Sequence, residues 1–148
     1  MVNLAVDVQT SQRSVSAALD GEGCTVRVND SARTWTLDVA GKNGEAVDGP
    51  DPVTSFLGSL CGCLLMSLRI TARARKIPID HAVIHAEANG SGFVNRIELR
   101  LNVQSNASKE EVEVVVARAE KACYVRALLK DSICFSLLLT VSPAVRSG

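Results

Sequence analysis

Apolar and small residues cover nearly every face of one stretch near the middle of the chain. It opens with Asp51 and Pro52, and Asp is favoured at a helix N-cap while Pro is favoured at the first helical position. No further proline follows until Pro78. Residues 56–68 show no polar face, which is typical of a buried helix. The pattern predicts a helix over residues 52–76, and about 24 residues make a rod of roughly 36 Å.

Short β-prone runs precede this helix. They cover residues 14–19, 24–28 and 34–39, and the Asp-Gly-Glu-Gly sequence at 20–23 indicates a hairpin between the first two. Residues 2–8 also alternate between apolar and polar and could form a strand or an arm. The first third of the chain is therefore predicted to be a small antiparallel meander.

Apolar and polar residues alternate regularly after the central helix. Residues 81–88 read as one strand, and the residues of Arg96–Gln104 alternate as a second strand after a Gly-rich turn. Alternation of this kind predicts a hairpin with one face packed on the core and one face in water. The residues expected to point inward are Ile97, Leu99, Leu101 and Val103.

A second helix is expected next. Ser108 with Glu111 three residues later forms a capping box, the signature of a helix start. Apolar residues then recur at helical spacing, so Cys123 is expected to point toward the core and toward the central helix. The stripe consists of Val112, Val115, Val116, Ala119, Ala122 and Cys123. A final strand is predicted over residues 133–141.

The predicted element order is β-β-β-α-β-β-α-β. Strands that come in consecutive groups with helices inserted between them indicate an α+β protein. At 148 residues the chain is expected to be a single domain, residues 1–148. The central helix is too apolar to be covered by the strands of one such chain, so a homodimer that shares these helices is expected.

Composition excludes several classes of function. The formal net charge is zero and aromatic residues make up 3% of the chain, so neither a basic surface nor a base-stacking platform for nucleic acid is expected. Five cysteines without regular spacing do not suggest a secreted disulfide framework. No signal-peptide pattern is recognised, and the apolar run is interrupted by small and polar residues. We expect a cytoplasmic protein that does not span a membrane.

Two cysteines, Cys61 and Cys63, lie on the central helix. Residues two apart on a helix are separated by about 200°, so the two thiols should face nearly opposite directions. Cys61 shares its face with Leu57, Leu64, Leu65 and Leu68. Cys63 shares its face with Phe56, Ser59, Met66, Ser67 and Ile70, a mixture typical of a pocket wall. The alternative is that both cysteines are buried structural thiols.

Metal binding and cysteine-hydrolase chemistry are weakly supported. A zinc site needs three or four converging ligands, but Cys61 and Cys63 diverge on the helix. His81 and His85 would lie about 13 Å apart along one strand. A Cys–His nucleophile would need a histidine close to one of these cysteines. We expect no metal and no cofactor.

A thiol redox pair is a further alternative. Cys63 and Cys123 both lie on apolar faces of helices that are expected to pack together. A thiolate attacks a peroxide and becomes a sulfenic acid, which a second nearby thiol converts to a disulfide. Such a thiolate needs a lowered pKa and partial exposure.

The sequence resembles the OsmC/Ohr family. Residues 49–63, GPDPVTSFLGSLCGC, resemble the opening of that family's central helix, and Cys63 falls on its reactive cysteine. Residues 119–123, AEKAC, resemble its second cysteine motif. The hairpin beginning at residues 96–99 lies between the two motifs, as in the family. The resemblance covers roughly residues 14–141 and leaves Cys24, Cys61 and Cys134 without an assigned role.

The resemblance implies a fold and a function. The fold is an intertwined homodimer in which antiparallel sheets wrap around long central helices. The activity is reduction of organic hydroperoxides, with Cys63 as the reactive cysteine and Cys123 as the resolving cysteine. The apolar residues on the same helix face as Cys63 suggest that the substrate has an apolar tail. A dithiol reductant would recycle the disulfide.

The sequence also departs from the peroxidase members of the family. They carry an acidic residue where this chain has Val53 and Thr54, an arginine in the first hairpin turn, and a proline where this chain has Tyr124. These departures favour a second function, that of a non-peroxidase dimer that binds a small apolar ligand or has a structural role. The candidates for a cation near Cys63, from either subunit, are Arg13, Arg27 and Arg126.

Overall fold

A computed structural model describes residues 12–19, 21–39 and 48–145 of the chain. The chain divides into two compact units, Met1–Ser55 and Phe56–Gly148. The expectation that both units belong to one domain stays a prediction.

The first unit contains a three-stranded antiparallel meander. Its strands are β1 (Ser16–Leu19), β2 (Val26–Asn29) and β3 (Thr34–Leu37), in that spatial order. The predicted meander is therefore confirmed, although each strand is shorter than the run that predicted it. The strand or arm expected at residues 2–8 lies outside the described residues. Residues 41–49 are polar and are predicted to form a loop, of which residues 41–47 also lie outside the described part of the chain.

The Gly-Pro pair before the central helix packs closely against β3. A Cβ atom built on Gly49 would lie 2.1 Å from the carbonyl oxygen of Thr36, which no side chain can tolerate. The N–H of Asp38 donates to the carbonyl oxygen of Pro50 at 3.1 Å. Glycine at position 49 is therefore required because the backbone there touches the neighbouring strand.

The central helix, α1, spans Pro52–Ala74. The Asp51 carboxylate accepts hydrogen bonds from the N–H groups of Val53 at 2.9 Å and Thr54 at 3.1 Å, which satisfies two of the donors left open at a helix start. At the other end Lys76 adopts φ 56°, a left-handed conformation that stops helices. The predicted helix is confirmed, with its last turn shorter by two residues.

Only one stripe of α1 is buried within the chain, in line with the expectation that the strands of one chain cannot cover this helix. The buried residues are Leu60, Leu64, Leu68 and Ala72. The large apolar residues that stay exposed include Phe56, Met66 and Ile70, at 36%, 69% and 55%. Within the described ranges α1 is the one helix long and apolar enough to cross a membrane, a test that core helices of soluble proteins also pass.

The second unit contains a mixed three-stranded sheet. Its strands are β4 (His81–Asn89), β5 (Arg96–Gln104) and β6 (Cys134–Ser142). The β4–β5 pair is antiparallel, as predicted, but β6 runs parallel to β5. The prediction of purely antiparallel sheets is wrong for this pair, because the chain crosses over through a helix between the two strands. The α+β class is confirmed.

The helical crossover consists of two pieces. Helix α2 spans Lys109–Ala122 and starts with the predicted capping box: Ser108 Oγ accepts from the Glu111 N–H, and the Ser108 N–H donates to the Glu111 carboxylate. A separate short helix, α3, spans Tyr124–Ala127. Of the predicted apolar stripe, Ala122 in the last turn of α2 is exposed, whereas Cys123 directly after it is buried.

Two apolar clusters form the core of the second unit. All four residues of β5 predicted to point inward are buried, as alternation requires. The buried members of the first cluster are Leu68, Ala72, Ile79, Leu101, Val103, Val112, Val115, Val116 and Ala119. The buried members of the second cluster are Leu60, Leu64, Ile97, Leu99 and Cys123.

Candidate functional site

The second core cluster brings two cysteines together from distant parts of the sequence. Cys123 is a buried member of the cluster, with 1% of its surface exposed, and Cys63 from α1 packs against the same cluster while remaining half-buried. Cys63 lies close enough to Cys123 to be among the causes that raise the pKa of the Cys123 thiol. The structure thus places Cys123 against the central helix, as the apolar stripe predicts.

Cys123 lies at the break between α2 and α3. It is the C-cap of the first helix and the N-cap of the second, with an extended backbone at φ −78° and ψ 109°. Its Sγ accepts a hydrogen bond from the N–H of Arg126 at 3.4 Å. A sulfur in this position replaces the oxygen that usually caps a helix start. The break in the helix therefore orients the thiol.

The Cys123 thiol loses its proton less readily than an ordinary cysteine. Burial raises the pKa of Cys123 to about 11, and the hydrogen bond with Cys63 and the charge of a Cys63 thiolate act in the same direction. The N–H of Arg126 opposes this shift. Cys123 therefore keeps its proton at neutral pH and can donate it to a thiolate on Cys63.

Cys61 is half-buried, although the leucines that share its helix face predict a position in the core. It also packs against the second cluster, and burial raises the pKa of its thiol. The buried stripe of α1 runs through Leu60 and Leu64, so the two neighbouring cysteines lie at opposite edges of it. The expected pocket wall around Cys63 is instead an open helix face, because its large apolar members are exposed.

A cavity of about 390 Å³ opens beside Cys123 at the junction of α2 and α3. Its lining contains an acidic residue and two basic residues besides the cysteine. The lining residues are Ala117, Glu120, Lys121, Cys123, Arg126 and Ala127.

Arg126 is held firmly at this cavity. Its guanidinium carbon lies 3.9 Å above the ring of Phe135, a cation–π contact. Its Nε is 3.7 Å from a carboxylate oxygen of Glu120, which is an ion-pair distance but too long for a hydrogen bond. The same Nε is buried and has no hydrogen-bond partner within the described part of the chain.

Glu120 and Phe135 are site residues that the sequence did not reveal. On one continuous helix, residues six positions apart lie about 120° from each other, so Glu120 and Arg126 would not be paired by a helical pattern. The break at Cys123 brings them together. Of the proposed cations, Arg126 is at the cavity, whereas Arg13 and Arg27 belong to the first unit and have interactions of their own.

No group of three or more His, Cys, Asp or Glu side chains that could hold a metal ion occurs among residues 12–19, 21–39 and 48–145. His81 and His85 are both exposed on β4. His85 lies 3.2 Å from a carboxylate oxygen of Glu87. The expectation of no metal and no cofactor stays a prediction.

Comparison with known proteins gives a consistent result. A family model described as OsmC-like protein matches residues 41–137. An uncharacterized protein of Haloferax volcanii is 27% identical over 135 residues, which cover 86% of this chain and 90% of that protein. The crystal structure of an OsmC-like protein from Mycoplasma pneumoniae matches with a TM-score of 0.77 at 18% identity, covering 92% of this chain and 99% of that one. An organic hydroperoxide resistance protein from Elizabethkingia anophelis matches with a TM-score of 0.66 at 18% identity, covering 90% and 96%.

Proposed function

This chain belongs to the OsmC-like protein family, and we propose that it is a thiol-dependent peroxidase that reduces organic hydroperoxides. The observation that carries the proposal is that Cys63 and Cys123, two thiols distant in the sequence, meet at one apolar cluster. Structural relatives include proteins named for organic hydroperoxide resistance, which supports the same chemistry. Cys63 is the nucleophile and Cys123 the resolving thiol.

In the first step the Cys63 thiolate attacks the distal oxygen of the hydroperoxide. The O–O bond breaks, Cys63 becomes a sulfenic acid, and the substrate leaves as an alcohol once it takes up a proton. Half-burial suits this role, because the nucleophile must be reachable by a substrate while its surroundings exclude bulk water. Cys123 is too buried and too weakly acidic to compete for the peroxide.

In the second step the Cys123 thiol condenses with the sulfenic acid. A Cys63–Cys123 disulfide forms and water leaves. The step needs the two Cα atoms within about 4.4–6.8 Å of each other. The hydrogen bond that Cys123 Sγ accepts from Arg126 must then weaken as the sulfur turns toward Cys63. A dithiol returns both cysteines to the reduced state.

The exposed face of α1 supports a homodimer and an apolar substrate. In the most apolar stretch of α1, only 17% is buried within one chain. A second copy that packs its own α1 against this face would cover Phe56, Met66 and Ile70. An apolar tail of the substrate would occupy what space remains beside Cys63.

Sedimentation tests the proposed homodimer. A stable folded monomer at micromolar concentration would contradict it.

A second candidate function is an OsmC-like dimer without peroxidase turnover, which binds a small apolar ligand or is structural. It is favoured by one observation: the first turn of α1 contains no acidic residue. Positions 53 and 54 are Val and Thr, and their N–H groups serve only to cap the helix on Asp51.

Consumption of cumene hydroperoxide or tert-butyl hydroperoxide with dithiothreitol as the reductant decides between the two functions. Cys63→Ser should abolish turnover because the nucleophile is lost. Cys61→Ser is the matched control on the same helix and should keep turnover. Cys123→Ser should leave a sulfenic acid on Cys63, which a sulfenic-acid reagent detects. Absence of turnover above background in the unmodified protein favours the second candidate.

The proposal places the protein in the cytoplasm, where thiols are kept reduced. Its structural relatives are bacterial OsmC-like and hydroperoxide resistance proteins, which supports a soluble protein.

A further inference from the structure

Contacts from both sides of the helix break enclose Cys123. On one side the carbonyl oxygen of Glu120 accepts the Cys123 N–H at 3.3 Å. On the other side the N–H groups of Arg126 and Ala127 donate to the Cys123 Sγ at 3.4 Å and to its carbonyl oxygen at 3.1 Å. The side chains of Glu120 and Arg126 lie 3.7 Å apart. Two residues that each bond to Cys123 through the backbone are thus joined to each other by opposite charges.

Arg126 also links α3 to the sheet. No residue of α3 is buried, and its four residues are too few for a helix that is stable by itself. The guanidinium group of Arg126 lies 3.9 Å from the ring centre of Phe135 on β6, and Val125 packs against the second cluster. The position of α3, and with it the contacts that Cys123 makes on this side, therefore depends on few side chains.

The guanidinium group is held in this place at a cost. Its Nε is buried and has no hydrogen-bond acceptor within the described residues, and an unmet buried donor is unfavourable. A long charged side chain that did no more than cover the surface would turn such a nitrogen to water. The contacts of Arg126 with Phe135 and Glu120 must outweigh this cost, so they are the contacts that fix the arginine.

We propose that Glu120 and Arg126 are positioning residues for the resolving cysteine: their ion pair closes the break between α2 and α3 around Cys123 and holds its thiol beside Cys63. This inference rests on the proposed peroxidase cycle, because it concerns the step in which the two cysteines join. It adds two residues that act through the placement of Cys123 rather than on the hydroperoxide.

In that step the Cys123 thiol attacks the sulfur of the Cys63 sulfenic acid. The S–S bond forms, the S–O bond breaks, and the hydroxyl group leaves as water with the proton from Cys123. Two groups of one molecule react faster when their relative position is fixed before the step. Cys123 belongs to neither helix, so without the ion pair its backbone gains freedom that it must lose again before the sulfurs can meet.

An equilibrium with glutathione tests this placement without any peroxide. Oxidised glutathione and the reduced full-length protein exchange to give the Cys63–Cys123 disulfide and two molecules of reduced glutathione, and peptide mass mapping quantifies the disulfide. In Arg126→Gln the equilibrium constant should fall about tenfold, the effect of freeing one backbone residue. A tenfold fall raises the reduction potential of the disulfide by about 30 mV.

Four further variants separate positioning from a general loss of structure. Glu120→Gln changes a half-buried side chain without changing its size and keeps the contact of Arg126 with Phe135, so its equilibrium constant should lie between those of the unmodified protein and Arg126→Gln. The double variant Glu120→Gln/Arg126→Gln should fall no further than Arg126→Gln, because both changes remove one ion pair. Arg126→Lys keeps the positive charge and should lie closer to the unmodified protein than Arg126→Gln does. Arg118→Gln, an exposed position on α2 outside the cavity lining, is the control and should leave the constant unchanged.

Trapping of the sulfenic acid supplies a second measurement. After a stoichiometric amount of cumene hydroperoxide is added, dimedone and Cys123 compete for the sulfenic acid on Cys63. The ratio of disulfide to dimedone adduct does not depend on how fast the sulfenic acid was formed. It should fall in the same order of variants as the equilibrium constant, whereas lower stability alone does not change it in protein that is still folded.

An equilibrium constant in Arg126→Gln or Glu120→Gln that equals that of the unmodified protein overturns the inference. Additive losses in the double variant, a constant in Arg126→Lys as low as in Arg126→Gln, or an equal loss in Arg118→Gln overturn it as well. If the unmodified protein forms the disulfide and turns over hydroperoxide, and these variants do so equally well, only this inference fails. If oxidised glutathione produces no Cys63–Cys123 disulfide in the unmodified protein, the proposed function fails together with the inference.

Discussion

Leu60 is the side chain on which the position of the thiol pair most directly depends. It is 0% exposed and lies in the cluster that also contains Ile97, Leu99 and Cys123. Leu60→Ala removes three buried carbon atoms and leaves a cavity next to the Cys123 thiol. Transfer of the lost atoms accounts for about 2 kcal/mol, and the unfilled cavity raises the total to about 3–5 kcal/mol. A loss of this size is a large part of the roughly 5–15 kcal/mol that stabilises a domain.

Urea unfolding followed by circular dichroism measures this loss, with all variants at one protein concentration because a dimer's stability depends on concentration. Leu138→Ala is the matched control, since Leu138 is 65% exposed on the outer face of β6 and its truncation should cost below about 1 kcal/mol. A loss below about 1 kcal/mol for Leu60→Ala, or equal losses for both variants, refutes the second cluster as the support of Cys123.

Three further predictions follow from single contacts. Ser108→Ala removes the capping box of α2 and should lower the free energy of unfolding by about 1 kcal/mol. The control, Ser136→Ala on the exposed face of β6, should change the free energy of unfolding by less than about 0.5 kcal/mol. Similar small losses for both variants would argue against a stabilising role of the cap. Burial raises the pKa of Cys123 to about 11 in the folded protein, so on raising the pH the unfolded state loses this proton before the folded state does. The stability that the protonated thiol contributes is therefore complete below roughly pH 8.5, the pKa of an ordinary cysteine, and is lost as the pH rises to about 11. Between those limits the difference in unfolding free energy between the unmodified protein and Cys123→Ser should fall by about 3 kcal/mol. A constant difference would contradict the shift. A thiol-specific alkylating reagent should label Cys63 before Cys61, whose pKa is raised by burial; mass spectrometry that finds the reverse order would exchange their assigned roles.

Local patterns in the sequence were enough to predict most of the elements. The bounds of β5, the start of α2 at its capping box and the start of α1 after Asp51 agree with the structure. Each depends on interactions between residues a few positions apart, and those interactions leave a signature in consecutive residues. The resemblance carried by the two cysteine motifs supplied the family, which the comparisons confirm.

The candidate site depended more heavily on tertiary structure. The parallel pairing of β6 with β5, the break of the helix at Cys123, and the contacts of Arg126 with Glu120 and Phe135 had no signal in the sequence. Apolar periodicity places a side chain on the core side of its own element but does not select the partner across the core, because any well-packed apolar neighbour satisfies it. The sequence by itself therefore determined that Cys123 faces inward. Only the packing of α2 and α3 against α1 and β5 decided that it meets Cys63 and borders a charged cavity.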